Sequence, residues 1–287
     1  MTLGFWIVLS LITKIVLYIG TIGAAGTALF RVIFSDVAHL ASKRLFGWLV
    51  FTAICATFLG YALRSATLTG DSSGLTDMEM HLLLWDTAVG TSFTTRMIGL
   101  FILLLSLLMK RSGAIIAMLI GAAIVLWSFT QIGHATELGT WFTSILFFIH
   151  FATAAFWVGA LVPLLRAANG NTTLQQAADI ADRFGRKAAV LVPILIAAGL
   201  VLAWNLLPDI ASIWTTAYGR LLLLKIVFVA GLLGLAAANK LRFVPAMERG
   251  DPAGALHLAK SIKWEICAVL VILTITAFLT STVTFPE

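Results

Sequence analysis

Long apolar stretches alternate along this chain with short polar connections. A bilayer's hydrocarbon core is ~30 Å thick and a helix rises ~1.5 Å per residue, so one crossing takes roughly 20 mostly apolar residues. Eight stretches meet that length, near Phe5 to Phe30, Leu45 to Leu63, Thr91 to Met109, Ser112 to Ile132, Thr140 to Leu165, Ala188 to Leu207, Ala217 to Ala238 and Trp264 to Thr282. They predict an all-α, polytopic membrane protein, eight transmembrane helices forming a single transmembrane domain over residues 1–287. Within it, a first four-helix half covers 1–135, with an outer loop at 64–90, and a second half covers 136–287. No Lys or Arg precedes the first stretch and Lys14 interrupts it, unlike a cleavable signal peptide with its basic start. The first helix is therefore expected to stay.

Composition agrees and removes other classes. Of 287 residues, 60% are hydrophobic and 11% charged, with a mean hydropathy of +1.02. An ordinary soluble domain is about a quarter charged, so a soluble globule is excluded, and with it disorder, collagen and nucleic-acid binding. The net charge of +6 reports topology rather than an anionic partner. Arg31, Lys43 and Arg44, then Lys110 and Arg111, then Arg166, Arg183, Arg186 and Lys187, and finally Lys240, Arg242, Arg249, Lys260 and Lys263 all follow the first, third, fifth and seventh spans. The positive-inside rule makes those loops cytoplasmic and leaves both termini outside. The opposite loops carry Asp71, Asp77, Glu79, Asp86, Glu137 and Asp209, an acidic face that would concentrate cations. Cys55 and Cys267 lie in apolar runs without a C-x-x-C spacing and are expected to pack in the core.

An internal duplication is also legible. Trp85-Asp86-Thr87-Ala88-Val89-Gly90 opens the third span and Trp214-Thr215-Thr216-Ala217-Tyr218-Gly219 the seventh, and in each a cation, Arg96 or Lys225, follows the glycine by six. The first and fifth spans align by matching Lys14 with His150 and Gly23 with Gly159. A parallel four-plus-four repeat follows, with the interface between halves as the natural place for a site.

An ionisable group within hydrocarbon costs several kcal/mol and needs a partner. Lys14, Arg96, Arg220, Lys225 and His150 are such groups, and Glu265, placed at the cytoplasmic end of the eighth span, is at the wrong end to pair with them. Their partners must be outer-loop acids, backbone carbonyls or a bound anion, with snorkelling to the interface as the alternative for Arg96 and Arg220. Imidazole and thioether are soft-metal ligands. In Met78-Glu79-Met80-His81 a capping box of Thr76 and Glu79 predicts a short interfacial helix, with Met78 and His81 on one face and Met80 off it, a capture site for a soft metal. His134 sits at the outer end of the fourth span, and His150 lies ~14 Å deeper, a second station. His150, Ala154, Trp157 and Leu161 share a face of the fifth span, with small Ala154 admitting a neighbour. His39 and His257 fall in cytoplasmic loops.

Taken in order, Gly133-His134-Ala135, His150-x-x-x-Ala154-x-x-Trp157-x-Gly159-Ala160-Leu161, Thr216-Ala217-Tyr218-Gly219-Arg220-x-Leu222-Leu223-x-Lys225, Asn239-Lys240, Glu265 and Phe285-Pro286 resemble the copper resistance protein D (CopD) family of bacterial inner-membrane proteins. Ala160 stands where a second glycine is usual, and Lys240 where Arg is common. The resemblance implies copper passage across the cytoplasmic membrane with a separate periplasmic copper-carrier protein as partner beside the lipid bilayer; the soft donors His81, Met78, Met80, His134 and His150 are then the expected ligands, of Cu⁺ rather than Cu²⁺. No nucleotide-binding G-x-x-x-x-G-K is present, so gradients or handover would drive movement, and no enzymatic activity is expected. Two alternatives remain open on the residues. A haem-binding or redox protein would use a buried histidine as axial ligand and propionates to satisfy Arg96 and Arg220. A scaffold or sensor would carry no copper.

Overall fold

The computed structural model describes residues 3–132, 141–206, 209 and 211–281. Its long helices are α1 (Leu3–Ile33), α2 (Lys43–Thr69), α4 (Ala88–Ser106), α5 (Arg111–Trp127), α6 (Trp141–Arg166), α7 (Leu174–Leu206), α8 (Ala217–Ala238) and α9 (Pro252–Leu279), with a short α3 (Met78–Trp85) before α4. Eight helices among the described residues are long and apolar enough to cross a membrane. Two start well before their apolar stretches: α7 at Leu174 rather than near Ala188, and α9 at Pro252 rather than near Trp264. Hydropathy marks where composition turns polar, not where the backbone ladder stops. In α7 the polar extension is held by Arg183 on Asp179 at 3.0 Å and by Arg186 on Asp182, both four residues apart. The Asp251 carboxylate accepts from the Ala253 N–H at 2.9 Å to open α9, with Pro252 in the first turn.

Packing follows membrane rules. Large apolar side chains such as Trp48, Phe51, Leu105, Val190 and Val227 face outward, while Ala24, Ala25, Ala28, Ala53, Ala155 and Ala160 are fully buried. Cys55 and Cys267 are exposed on the apolar exterior, not packed in the core as expected. Lipid tails are as apolar as a core, so burial statistics from soluble proteins do not transfer to a bundle. At the centre α1 and α6 meet where a Cβ on Gly26 would stand 2.0 Å from the Ala155 carbonyl oxygen, and one on Gly159 2.0 Å from the Gly26 carbonyl carbon. Only glycine allows that approach. Around this contact α1 packs on α2 and α6 on α7, α4 on α5 and α8 on α9, α1 on α5 and α6 on α9. The pairing of α2 with α4 has a looser counterpart, for α7 and α8 face each other across a cavity.

The two W-x-T-A-x-G corners are built alike. Thr87 caps α4 by accepting from the Val89 N–H at 3.1 Å, and Thr216 caps α8 by accepting from the Gly219 N–H at 2.9 Å. A Cβ on Gly90 would lie 2.2 Å from the Trp85 carbonyl oxygen and one on Gly219 2.2 Å from that of Ser212. Each glycine thus lets its helix start directly against the preceding turn. Several basic segments converge at one end: Arg166 donates to the Leu40 carbonyl at 2.7 Å, Lys240 to that of Gly185 at 3.4 Å, and Arg183 pairs with Asp36 at 2.8 Å. The Arg183 guanidinium holds the Asp36 carboxyl below the usual carboxylate range.

Candidate functional site

At the opposite, acidic end, α3 carries Met78, Met80 and His81. The helix is capped one residue later than expected: Asp77, not Thr76, accepts from the Met80 N–H at 3.0 Å. Thr76 instead closes the preceding turn by donating its N–H to the Ser73 carbonyl, which removes it as a cap. Met78 is exposed and Met80 half-buried. His81 turns inward, stacking on Tyr61 with centroids 5.6 Å apart, and its Nε2 donates to the Leu75 carbonyl at 3.0 Å. A neutral imidazole donating through Nε2 keeps its lone pair on Nδ1, and that atom is buried without a partner. Of the acidic residues here, Asp71 and Asp209 also cap turns, their carboxyls held below the usual range by hydrogen bonds from Ser73 and Ser212. Glu79 and Asp86 are exposed.

The intramembrane cations resolve into distinct cases. Lys14 donates to the Thr280 carbonyl at 2.7 Å and to Ser281 Oγ at 2.9 Å, closing the end of α9 with the backbone carbonyl that sequence reasoning allowed. Arg96 is buried and donates from Nε to Ser128 Oγ and from a terminal nitrogen to Ser92 Oγ, each at 3.0 Å, over the face of Phe129 at 4.7 Å. Arg220 is exposed on the bundle exterior. Protein groups thus engage Arg96 and Arg220 points away, so neither calls for the propionates of a haem. Lys225 is half-buried on α8.

His150 is wedged between α6 and α7. A Cβ on Gly199 of α7 would lie 3.5 Å from its Cε1 and 3.6 Å from its Nδ1, so the glycine, more than Ala154, makes room for the ring. Its Nδ1 is buried and makes no hydrogen bond of normal geometry, as in His81. His134 lies outside the described residues. No group of three or more His, Cys, Asp or Glu side chains is poised to hold a metal ion among the described residues.

Two turns below His150 on α6, a second polar centre forms that sequence reasoning did not assemble. Glu265 is 2% exposed and accepts from Trp157 Nε1 at 3.2 Å and from Asn239 Nδ2 at 2.5 Å. It lies well inside α9, not at a helix end, because that helix begins at Pro252. Asn239 opens a π-helical turn, Asn239–Phe243, that carries α8 past the cavity, the kind of irregularity found at functional sites. The cavity, about 510 Å³, is bounded by α6, α7, α8 and α9 and lined by Trp157, Pro193, Asn239, Lys240 and Glu265 among apolar neighbours. One signal was available in the sequence: a carboxylate in a long apolar run needs neutral donors or a cation.

Comparison with known proteins now places the chain. The family model described as "Copper resistance protein D-like, N-terminal domain" matches residues 6–142, and "Copper resistance protein D" matches residues 178–279. The chain belongs to the copper resistance protein D family. It is therefore a multi-pass protein of the bacterial inner membrane. Copper resistance protein D of Pseudomonas syringae pv. tomato is 30% identical to it over 142 residues, a match covering 46% of this chain and 46% of the relative's own length. No solved structure matches. In this CopD-family chain three of the residues carrying the resemblance in the second half meet, Trp157 of α6, Asn239 at the end of α8 and Glu265 of α9, in hydrogen-bond contact.

Proposed function

We propose that this chain carries copper across the bacterial cytoplasmic membrane, inward, without enzymatic chemistry. Copper is the cargo. It is captured at the acidic end by Met78, Met80 and His81, passed to His134, and relayed inside the bundle by His150. A soluble periplasmic carrier delivers it, and the ion travels as Cu⁺, which imidazole and thioether donors suit. The proposal includes a parallel four-plus-four repeat with both termini outside, supported by the matching helix pairings and the two alike corners.

One observation carries the reading: His150 holds an unpartnered Nδ1 inside a membrane bundle, against a glycine on the neighbouring helix. A purely structural histidine in hydrocarbon would spend both nitrogens on hydrogen bonds, because an unmet polar atom there costs several kcal/mol. Radiocopper uptake into proteoliposomes containing the full chain tests it. Uptake above empty vesicles is expected, falling at least tenfold in His150→Ala with expression and thermal stability retained. Equal uptake by the variant removes His150 from the path, and no uptake with or without a copper donor leaves only a scaffold.

A further inference from the structure

The centre built by Trp157, Asn239 and Glu265 offers neither imidazole nor thioether, the ligands of the relay. Its donors are hard oxygens, and among the described residues its carboxylate has no cation paired with it. Both Glu265 oxygens accept from neutral donors, so no cation neutralises the carboxylate form. Asn239 Oδ1 is buried with no partner, an unmet acceptor at the same place. Pro193 lines the same cavity and has no N–H, which removes a donor from the carbonyl of Ala189, another lining residue. Several electron-rich oxygens thus gather in one cavity within the membrane.

The charged surroundings are sparse. α6 contributes Trp157 and Leu164 to the cavity, α7 no ionisable side chain, α9 only Glu265, and α8 with its π-turn Asn239 and Lys240. Lys240 directs its Nζ to the Gly185 carbonyl at 3.4 Å. A hard metal cation takes six or more oxygen ligands, and the remaining lining is chiefly alkyl. A proton needs one oxygen.

We propose that Glu265 is a proton-exchange site, reached from the basic end through the cavity lined by Trp157, Asn239 and Lys240, at which a proton and the transported copper ion replace one another. The proposal deepens the transport reading and rests on it for the copper half. A hydronium at the basic end gives its proton to a Glu265 oxygen, leaving water. As copper arrives from His150 the proton returns to water, and the carboxylate now balances the metal's charge. When copper leaves, a proton takes its place. No step needs an oxidant or reductant, and the net charge of the buried centre stays constant.

Two measurements on the full chain separate the parts. Infrared difference titration in nanodiscs, without copper, is expected to show a protonated-carboxyl band that disappears with rising pH and is absent from Glu265→Gln. Asn239→Ala, which keeps the carboxyl and removes one donor, shifts the midpoint of that band. In proteoliposomes, acidifying the side facing the basic end should slow wild-type copper uptake, approaching about tenfold per pH unit for a single competing proton. In Glu265→Gln the remaining uptake should change less than twofold over the same range. An undiminished titrating band in Glu265→Gln, or a pH slope equal to wild type, overturns the site. A band lost in Glu265→Gln with no copper uptake by wild type leaves the proton site standing and removes the transport reading.

Discussion

At the scale of single residues, His150 and Lys225 make the sharpest physical conflict in the bundle. The field of Lys225 reaches His150, and a positive side chain opposes a metal cation on the imidazole. For unit charges several ångströms apart at an effective dielectric near 20, the repulsion is on the order of 2 kcal/mol, roughly thirtyfold in affinity. Lys225→Met keeps an unbranched side chain, one heavy atom shorter, and removes the charge. It is expected to tighten copper binding at His150 about tenfold or more in an equilibrium metal titration, an effect that disappears in the Lys225→Met, His150→Ala double variant. Unchanged affinity in Lys225→Met would place the metal elsewhere. Lys14 is different, because its charge is spent on the carbonyl and hydroxyl that end α9. The two lysines look equivalent as charges in apolar runs, and only the packing shows that Lys14 ties helices together.

At the scale of helices, α1 crosses α6 backbone to backbone. The facing atoms at Gly26 and Gly159 are backbone, which cannot swing aside as a side chain can. Gly159→Leu is expected to prevent assembly outright and Gly159→Ala to lower the melting temperature in detergent by several degrees. Gly231→Ala on α8 is the control: nothing lies within 4 Å of its added Cβ, so it should be neutral or stabilise by up to about 1 kcal/mol through helix propensity. A melting temperature unchanged in Gly159→Ala would mean that the helices cross elsewhere. The same crossing shows how far a sequence can be read. Apolar runs long enough to span lipid announced eight helices, and the threonine-glycine corners announced where α4 and α8 start. The partner of Gly159 was not readable, because a glycine in a helix signals close approach without saying to what. Nor was the meeting of Trp157, Asn239 and Glu265, which lie on three helices and acquire a shared meaning only when the helices are packed. The early starts of α7 and α9 escaped because polar turns continue a helix as well as apolar ones do, and that error is what put Glu265 at a helix end.

At the scale of the whole molecule, orientation decides what the sites mean. The basic segments after α1, α6 and α8 are tied together at one end by Arg166 on Leu40, Arg183 on Asp36 and Lys240 on Gly185, while His81 and the capping acids occupy the other. Loop cations are retained on the cytoplasmic side, so the acidic end should face the periplasm. Cys55 and Cys267, both lipid-facing, are first changed to Ser. Single cysteines are then placed at the exposed positions Ser72, at the acidic end, and Glu248, at the basic end. In intact spheroplasts a membrane-impermeant maleimide is expected to label Ser72→Cys and to reach Glu248→Cys only after the membrane is opened. The reverse pattern would turn the molecule over. The methionines and His81 would then meet the cytoplasm, capture would become release, and the cavity beneath Glu265 would open on the periplasm, so that acid outside the cell, not within it, would compete with copper.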